Sequence, residues 1–256
     1  MAELLRIEHV SKTYISGGSF WGGEKITALK DVSFCVEEGE SFGLLGPSGC
    51  GKSTLARLIL ALERPEGGKI YVDGRDISSL KGRELKAFRR KVQPVFQDPY
   101  ASLNPRMTVA EILAEPFSVY GEHYTHASLK KLLSQVGLAE SSLAKYPGEF
   151  SGGQRQRIAI ARALALKPKL IIADEPLSSL DVSVQAQILN LLADIKEEYG
   201  LSLVFISHDL ALCKFLCSKA AVMDKGEIAE AGPSEEVLIS PKSAAAKRLL
   251  KAVLPL

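Results

Sequence analysis

The chain is short of sulfur. Its 256 residues hold four cysteines, three methionines and one tryptophan. Cys35, Cys50, Cys213 and Cys217 have neither the density of a disulfide scaffold nor CxxC metal spacing, so free thiols in a reducing cytosol are expected. Excess charge is also missing. Lys and Arg number 32 against 30 Asp and Glu, and a net charge of +2 gives no bulk attraction to nucleic acid or anionic membrane. No apolar run reaches the roughly 18 residues of a membrane span, because the best candidate, Ile158 to Leu166, is interrupted by Arg162. The N-terminus carries Glu3, Arg6 and Glu8 where a secretory signal would be apolar, so no signal is expected. Internal repeats and low-complexity tracts are absent.

Hydrophobic residues make up 46% and charged residues 24%, which fits a globular protein with a full core. The length suits one large domain or a domain with an insertion. Leu4 to Val10 and Val32 to Val36 read as strands, with Ile15 to Thr27, which holds Trp21, as a Gly-rich surface loop between them. Ser41 to Leu45 is a short apolar strand entering a glycine-rich turn. Leu55, Leu58, Ile59 and Leu62 then follow at helical spacing, with Pro65 and Gly67 ending the helix. Lys69 to Val72 and Val92 to Phe96 are strands around a basic helix. Asp98 to about Leu166 reads as an all-helical insertion. Strands return at Leu170 to Ala173 and Leu203 to Ile206, separated by a helix that Gly200 closes; a hairpin around Asp224-Lys225-Gly226 and a helical tail complete the chain.

Chemistry concentrates in a few segments. Gly46-Pro47-Ser48-Gly49-Cys50-Gly51-Lys52-Ser53 fits GxxxxGK[ST] and lies between a strand and a helix. There, backbone N–H groups and the helix N-terminus converge on phosphate oxygens, Lys52 reaches the β- and γ-phosphates, and the Ser53 hydroxyl binds Mg²⁺. Leu170 to Ala173 ends in Asp174 and Glu175, which suits one carboxylate for the Mg²⁺ outer sphere and one to polarise an attacking water; a solvated acidic turn is the alternative. Ser151-Gly152-Gly153-Gln154 enters an Arg-rich helix and is either an anion-binding turn or an ordinary N-cap. Glu122, His123 and His126 read as solvated loop residues, not a metal site. The basic run from Lys81 to Lys91 reads as a solvated helix face, not a nucleic-acid patch.

Taken together, Gly46 to Ser53, Gln97, Phe150 to Gln154, Leu170 to Glu175, Ser179-Leu180-Asp181 and His208 follow the order and spacing of an ATP-binding cassette (ABC) ATPase, which the sequence resembles over nearly its whole length. The resemblance implies an α/β, RecA-like P-loop core with an antiparallel β subdomain (1–97 and 167–256) and an inserted helical subdomain (98–166). It implies ATP and Mg²⁺ as cofactors. Glu175 is then the catalytic base, with His208 and Lys52 on the γ-phosphate. Nucleotide contacts are expected from Tyr14, Gly46, Pro47, Ser48, Gly49, Cys50, Gly51, Lys52, Ser53, Thr54 and Gln97, and metal contacts from Ser53, Gln97 and Asp174. Ser151, Gly152, Gly153, Gln154 and Asp181 are expected to act on ATP held by an opposing cassette. Phe150 stands where the family more often has Leu.

The segments Gln97 to Val109 and Leu180 to Asn190 are similar to the peptide and nickel importer branch. The ending at Leu256 resembles the short nickel-import subunit, which favours nickel or another metal complex over oligopeptide. The implied partners are two transmembrane permease subunits, a related ATPase or a second copy, and, indirectly, an extracytoplasmic binding protein, at the cytoplasmic face of the membrane and without nucleic acid. A soluble, non-transport ABC ATPase acting on nucleic acid or the ribosome is the alternative. A small-molecule kinase would leave Ser151 to Gln154 unexplained.

Overall fold

In the computed structural model the described residues are 2–16 and 24–253, with side chains for 2–15 and 24–251. Trp21 lies outside them. The chain divides into two compact units, residues 1–89 with 202–256 and residues 90–201.

In the first unit, β1 (Glu3–Ser16) and β2 (Glu24–Glu37) pair antiparallel from Leu5↔Val36 out to Ser16↔Glu24. Both strands therefore run into the segment expected to be loop. Ile15 and Ile26 are 71% and 50% exposed, so this extension buries no face, and hydrophobic alternation could not reveal it. Next come β3 (Ser41–Leu45) and α1 (Lys52–Ile59). The helix stops well short of Pro65. Ala61 takes a left-handed φ of 49°, its N–H donates to the Leu58 carbonyl, and the Leu62 N–H reaches back to the Arg57 carbonyl. This is a Schellman ending with alanine where glycine is usual, so the sequence carries no stop signal there. Leu62 is consequently exposed. β4 (Gly67–Val72) and β5 (Arg75–Asp76) complete an antiparallel sheet in the order β2-β1-β4-β5. α2 (Gly82–Lys91) buries Phe88 and exposes Arg83, Lys86, Arg89 and Arg90.

The second unit pairs β6 (Val92–Val95) parallel with β7 (Leu170–Asp174), from Val92↔Leu170 to Val95↔Ala173. Between them lie α3 (Pro99–Ser102), α4 (Val109–Tyr120), α5 (His126–Gln135), two short 3₁₀ turns and α6 (Gly152–Leu164); α7 (Val182–Tyr199) follows β7. The expected helical insertion, 98–166, falls inside this unit. Thr108 with Glu111 and Ser151 with Gln154 form reciprocal capping boxes, which explains why these helices start where they do. Leu113, Leu133, Ile158, Ile160 and Ile188 are fully or almost fully buried and form its apolar interior. Glu122 pairs with Arg90. No group of three or more potential ligands able to hold a metal occurs among the described residues.

Returning to the first unit, β8 (Ser202–Ser207), β9 (Lys219–Asp224) and β10 (Glu227–Pro233) form the order β10-β9-β3-β8. β3 is parallel to both of its neighbours and buried at every position, as a continuous apolar run requires. α8 (Leu210–Leu216), α9 (Ser234–Ile239) and α10 (Ala244–Val253) follow. Cys213 and Cys217 sit against Gly43 of β3, where a Cβ would lie 3.3 and 3.4 Å from their sulfurs. All four thiols are free, and three are buried. No helix of the described residues is long and apolar enough to cross a membrane.

Candidate active site

β3 delivers the phosphate-type loop at its C-terminal end, where parallel sheets present ligand-binding turns. Gly46 and Gly51 carry φ of 154° and 114°, and a Cβ at either would lie 2.3 Å from the Met223 carbonyl oxygen or 2.5 Å from that of Ala28. Only glycine gives both the backbone conformation and the close approach. Gly51 also caps α1 without a side-chain hydrogen bond, so the cap leaves room at the N-terminus of that helix. Lys52 is 4% exposed, and its Nζ donates to the carbonyls of Gly46 at 2.7 Å and Pro47 at 3.0 Å. The ammonium is thus folded back across the loop and charges its concave side. Cys50 is buried against it, and burial pushes its thiol pKa up, partly offset by Lys52. The cradle fits a polyphosphate with its metal: a cation, a helix N-terminus and the exposed Ser53 side chain share one turn. Thr54, expected among the nucleotide contacts, is buried, and its Oγ1 accepts from Arg57 Nη2 at 3.3 Å.

His208 follows Ser207, which is in register with Leu45, the residue before Gly46. The imidazole and the glycine loop therefore leave the same end of neighbouring strands. Tyr14 lies on β1. Its hydroxyl donates to Glu63 at 2.5 Å and accepts from Arg57 at 3.3 Å, while Lys12 stands 5.5 Å from the ring centroid. That hydroxyl, then Arg57, holds the Glu63 carboxyl below its ordinary range. Arg57 lies on the helix that Lys52 opens, so the triad ties the tyrosine to α1. Arg57 and Glu63 escaped the sequence reading, since charged residues near a helix end carry no distinctive spacing.

In the second unit, Asp174 closes β7 and Glu175 follows it with a left-handed φ of 46°. Ser178 holds this turn, its N–H and Oγ both donating to the Glu175 carbonyl. Such a conformation in a glutamate costs about 1–3 kcal/mol and persists where the surroundings enforce it. Gln97 lies two residues beyond Val95, the partner of Ala173, so the amide and both carboxylates emerge from the same end of the β6–β7 pair.

Ser151 opens α6 with a capping box: Gln154 Oε1 accepts from the Ser151 N–H at 3.0 Å, and the Ser151 hydroxyl accepts from the Gln154 N–H at 3.4 Å. The N-cap reading thus describes the local structure. The two glycines serve a further purpose. A Cβ at Gly153 would sit 2.4 Å from Val184 Cγ1, and one at Gly152 would sit 3.2 Å from Leu180 Cδ2. The turn is packed directly onto the start of α7. Gly153→Ala should therefore cost about 1–3 kcal/mol by overpacking, and adding Val184→Ala should recover most of it. Chemical denaturation of the single and double variants checks this, and an unchanged midpoint for Gly153→Ala would contradict the packing argument. Asp181 caps α7, accepting from Ser183 Oγ at 2.7 Å and from the Val184 N–H at 2.9 Å. These bonds, the serine's first, hold its carboxyl below its ordinary range.

The ABC transporter family profile matches residues 29–178, more than half of the chain. The protein belongs to the ABC transporter family. It is 49% identical over 243 residues to the probable peptide ABC transporter ATP-binding protein y4tS of Sinorhizobium fredii, covering 93% of this chain and 69% of that one. It is 46% identical to the oligopeptide transport ATP-binding protein OppD of Mycobacterium tuberculosis, covering 98% of this chain but only 42% of the relative. Among solved structures it resembles the dimeric post-hydrolysis state of the ATP-binding cassette MJ0796 bound to ADP and Pi, with a TM-score of 0.80 and 33% identity over 90% of this chain and 99% of that one. The ABC ATPase fold expected from the motifs is therefore present, and the chain is an ATPase subunit of this family.

Two contacts of this ABC cassette were not legible in its motifs. The Arg155 guanidinium stacks over the Tyr100 ring at 4.4 Å, joining the segment after Gln97 to the helix after Ser151. Arg162 donates to the Ser102 carbonyl at 2.6 Å, joining the same two helices, and burial lowers its pKa. Both pairs lie more than fifty positions apart in sequence, and nothing in the local pattern marks them. Phe150 is buried as the Leu common at its position would be, with Lys145 Nζ 5.9 Å from its ring.

Proposed function

We propose that the chain is the ATP-hydrolysing subunit of an importer that carries di- or oligopeptides through separate membrane subunits. The observation that carries this reading is the 49% identity to a relative named as a peptide transporter subunit, extending over 93% of the chain. Nickel, favoured from the ending at Leu256, has no counterpart in the names of the relatives above, so peptide is preferred. The chain works at the cytoplasmic face of the membrane with two permease subunits, and either a related ATPase or a second copy supplies the opposing cassette. An extracytoplasmic binding protein delivers the peptide.

In this reading Lys52 and the N–H groups that open α1 bind the β- and γ-phosphates, and Tyr14 stacks on the adenine. Ser53 in the first unit, and Gln97 and Asp174 in the second, carry the oxygens that would serve Mg²⁺, which when bound would neutralise phosphate charge. Glu175 accepts the proton of the attacking water, and His208 steadies the γ-phosphate. Ser151 to Gln154 and Asp181 complete the site of the opposing cassette.

Deleting the chain in its native host, with complementation, tests the assignment. Uptake of a labelled tetrapeptide should fall to background and return with the intact chain. Loss of labelled nickel uptake with peptide uptake intact would move the assignment to metal.

A further inference from the structure

Gln156 is fully buried, and neither its Nε2 nor its Oε1 has a hydrogen-bond partner among the described residues. An unpartnered buried amide destabilises the fold it sits in, so its presence asks for a use. Its position suggests one. At 3.6 residues per turn Gln156 lies about 40° round α6 from Gly152 and about 60° from Gly153, between the two. Helical side chains lean toward the N-terminus, so the amide lies over the turn that packs on Leu180 and Val184. A second glutamine treats the same segment differently. Gln185 Nε2 donates to the carbonyls of Leu177 at 3.0 Å and Leu180 at 3.1 Å, stapling the stretch after Glu175 onto α7. The Gln185 amide nitrogen is thus engaged with that segment, whereas the Gln156 amide has no partner among the described residues.

We propose that Gln156 is a positioning residue for ATP hydrolysis. Its amide bonds to the backbone of the Leu177–Asp181 segment when nucleotide draws that segment in, locking the Ser151–Gln154 turn to the chain that carries Glu175. This rests on the ATPase reading. The unmade bonds are a cost that is recovered only in that arrangement.

The test compares the full chain with Gln156→Leu and Gln156→Asn, by thermal melting without nucleotide and by steady-state ATP hydrolysis. Gln156→Leu should melt about 2–4 °C higher because it removes the unpartnered amide. Its kcat should fall about tenfold, with KM for ATP within about twofold. Gln156→Asn, which keeps the amide, should regain part of the lost kcat. An unchanged kcat in Gln156→Leu overturns the proposal whatever its melting temperature. A lower melting temperature also overturns it, because the amide would then be satisfied by a buried water. If Gln156→Leu does not fold, Gln156→Met carries the same comparison, and failure of both to fold makes the amide structural and overturns the proposal. Absence of turnover in the unaltered chain would overturn the ATPase reading itself, an outcome distinct from turnover that ignores Gln156.

Discussion

Glu175→Gln should bind ATP as the unaltered chain does and hydrolyse it about a thousandfold more slowly. The amide matches the carboxylate in size and tolerates the same left-handed backbone at φ 46°, so the turn held by Ser178 should survive. What the substitution removes is a group that can take a proton from water. In the proposed role positioning and electrostatics supply most of the catalysis, and proton acceptance by Glu175 would account for about three orders of magnitude of it. Two measurements separate the effects: titration with ATP for affinity, and phosphate release for turnover. With MgATP the variant should also accumulate as a dimer on gel filtration, because the closed form no longer resolves. Full turnover would remove Glu175 as the base.

Lys52→Ala should weaken ATP binding on the order of a hundredfold. In the proposed role the lysine would supply charge-assisted bonds to phosphate worth about 1.5–3 kcal/mol each, and about 1.4 kcal/mol is a factor of ten in affinity. It donates to the Gly46 and Pro47 carbonyls from a buried position. Its removal therefore also strips partners from the loop, and a modest loss of stability, about 1 kcal/mol, should accompany the loss of affinity. Melting without ATP reports the first effect and calorimetric titration the second. Retained affinity in a folded variant would contradict the phosphate-binding assignment.

Much of this arrangement is legible in the residues because several signals agree. β3 announces itself as an uninterrupted apolar run, the glycines after it demand a tight turn, and Lys52 begins a helix whose apolar spacing is clear. β7 is readable for the same reason, an apolar strand that ends abruptly in two acids. The misreadings have physical causes. The outer halves of β1 and β2 expose Ile15 and Ile26, so they lack the alternation that burial imposes. α1 ends on Ala61 in a conformation that glycine normally marks. A constraint that no local spacing shows is the close approach of Val184 and Leu180 to Gly153 and Gly152, some thirty residues away in sequence, which those glycines satisfy besides opening α6. The Tyr14–Arg57–Glu63 triad and the Arg155–Tyr100 stack likewise depend on tertiary proximity that no local spacing encodes.

The most direct test of the account is to tag the chain in its native host, solubilise membranes gently with ATP present, and identify what co-purifies. Two multi-span membrane proteins with a related ATPase or a second copy, carrying ATPase activity that a peptide-loaded binding protein stimulates, is the predicted result. Recovery of soluble partners alone would leave the ATPase standing and contradict its place in an importer.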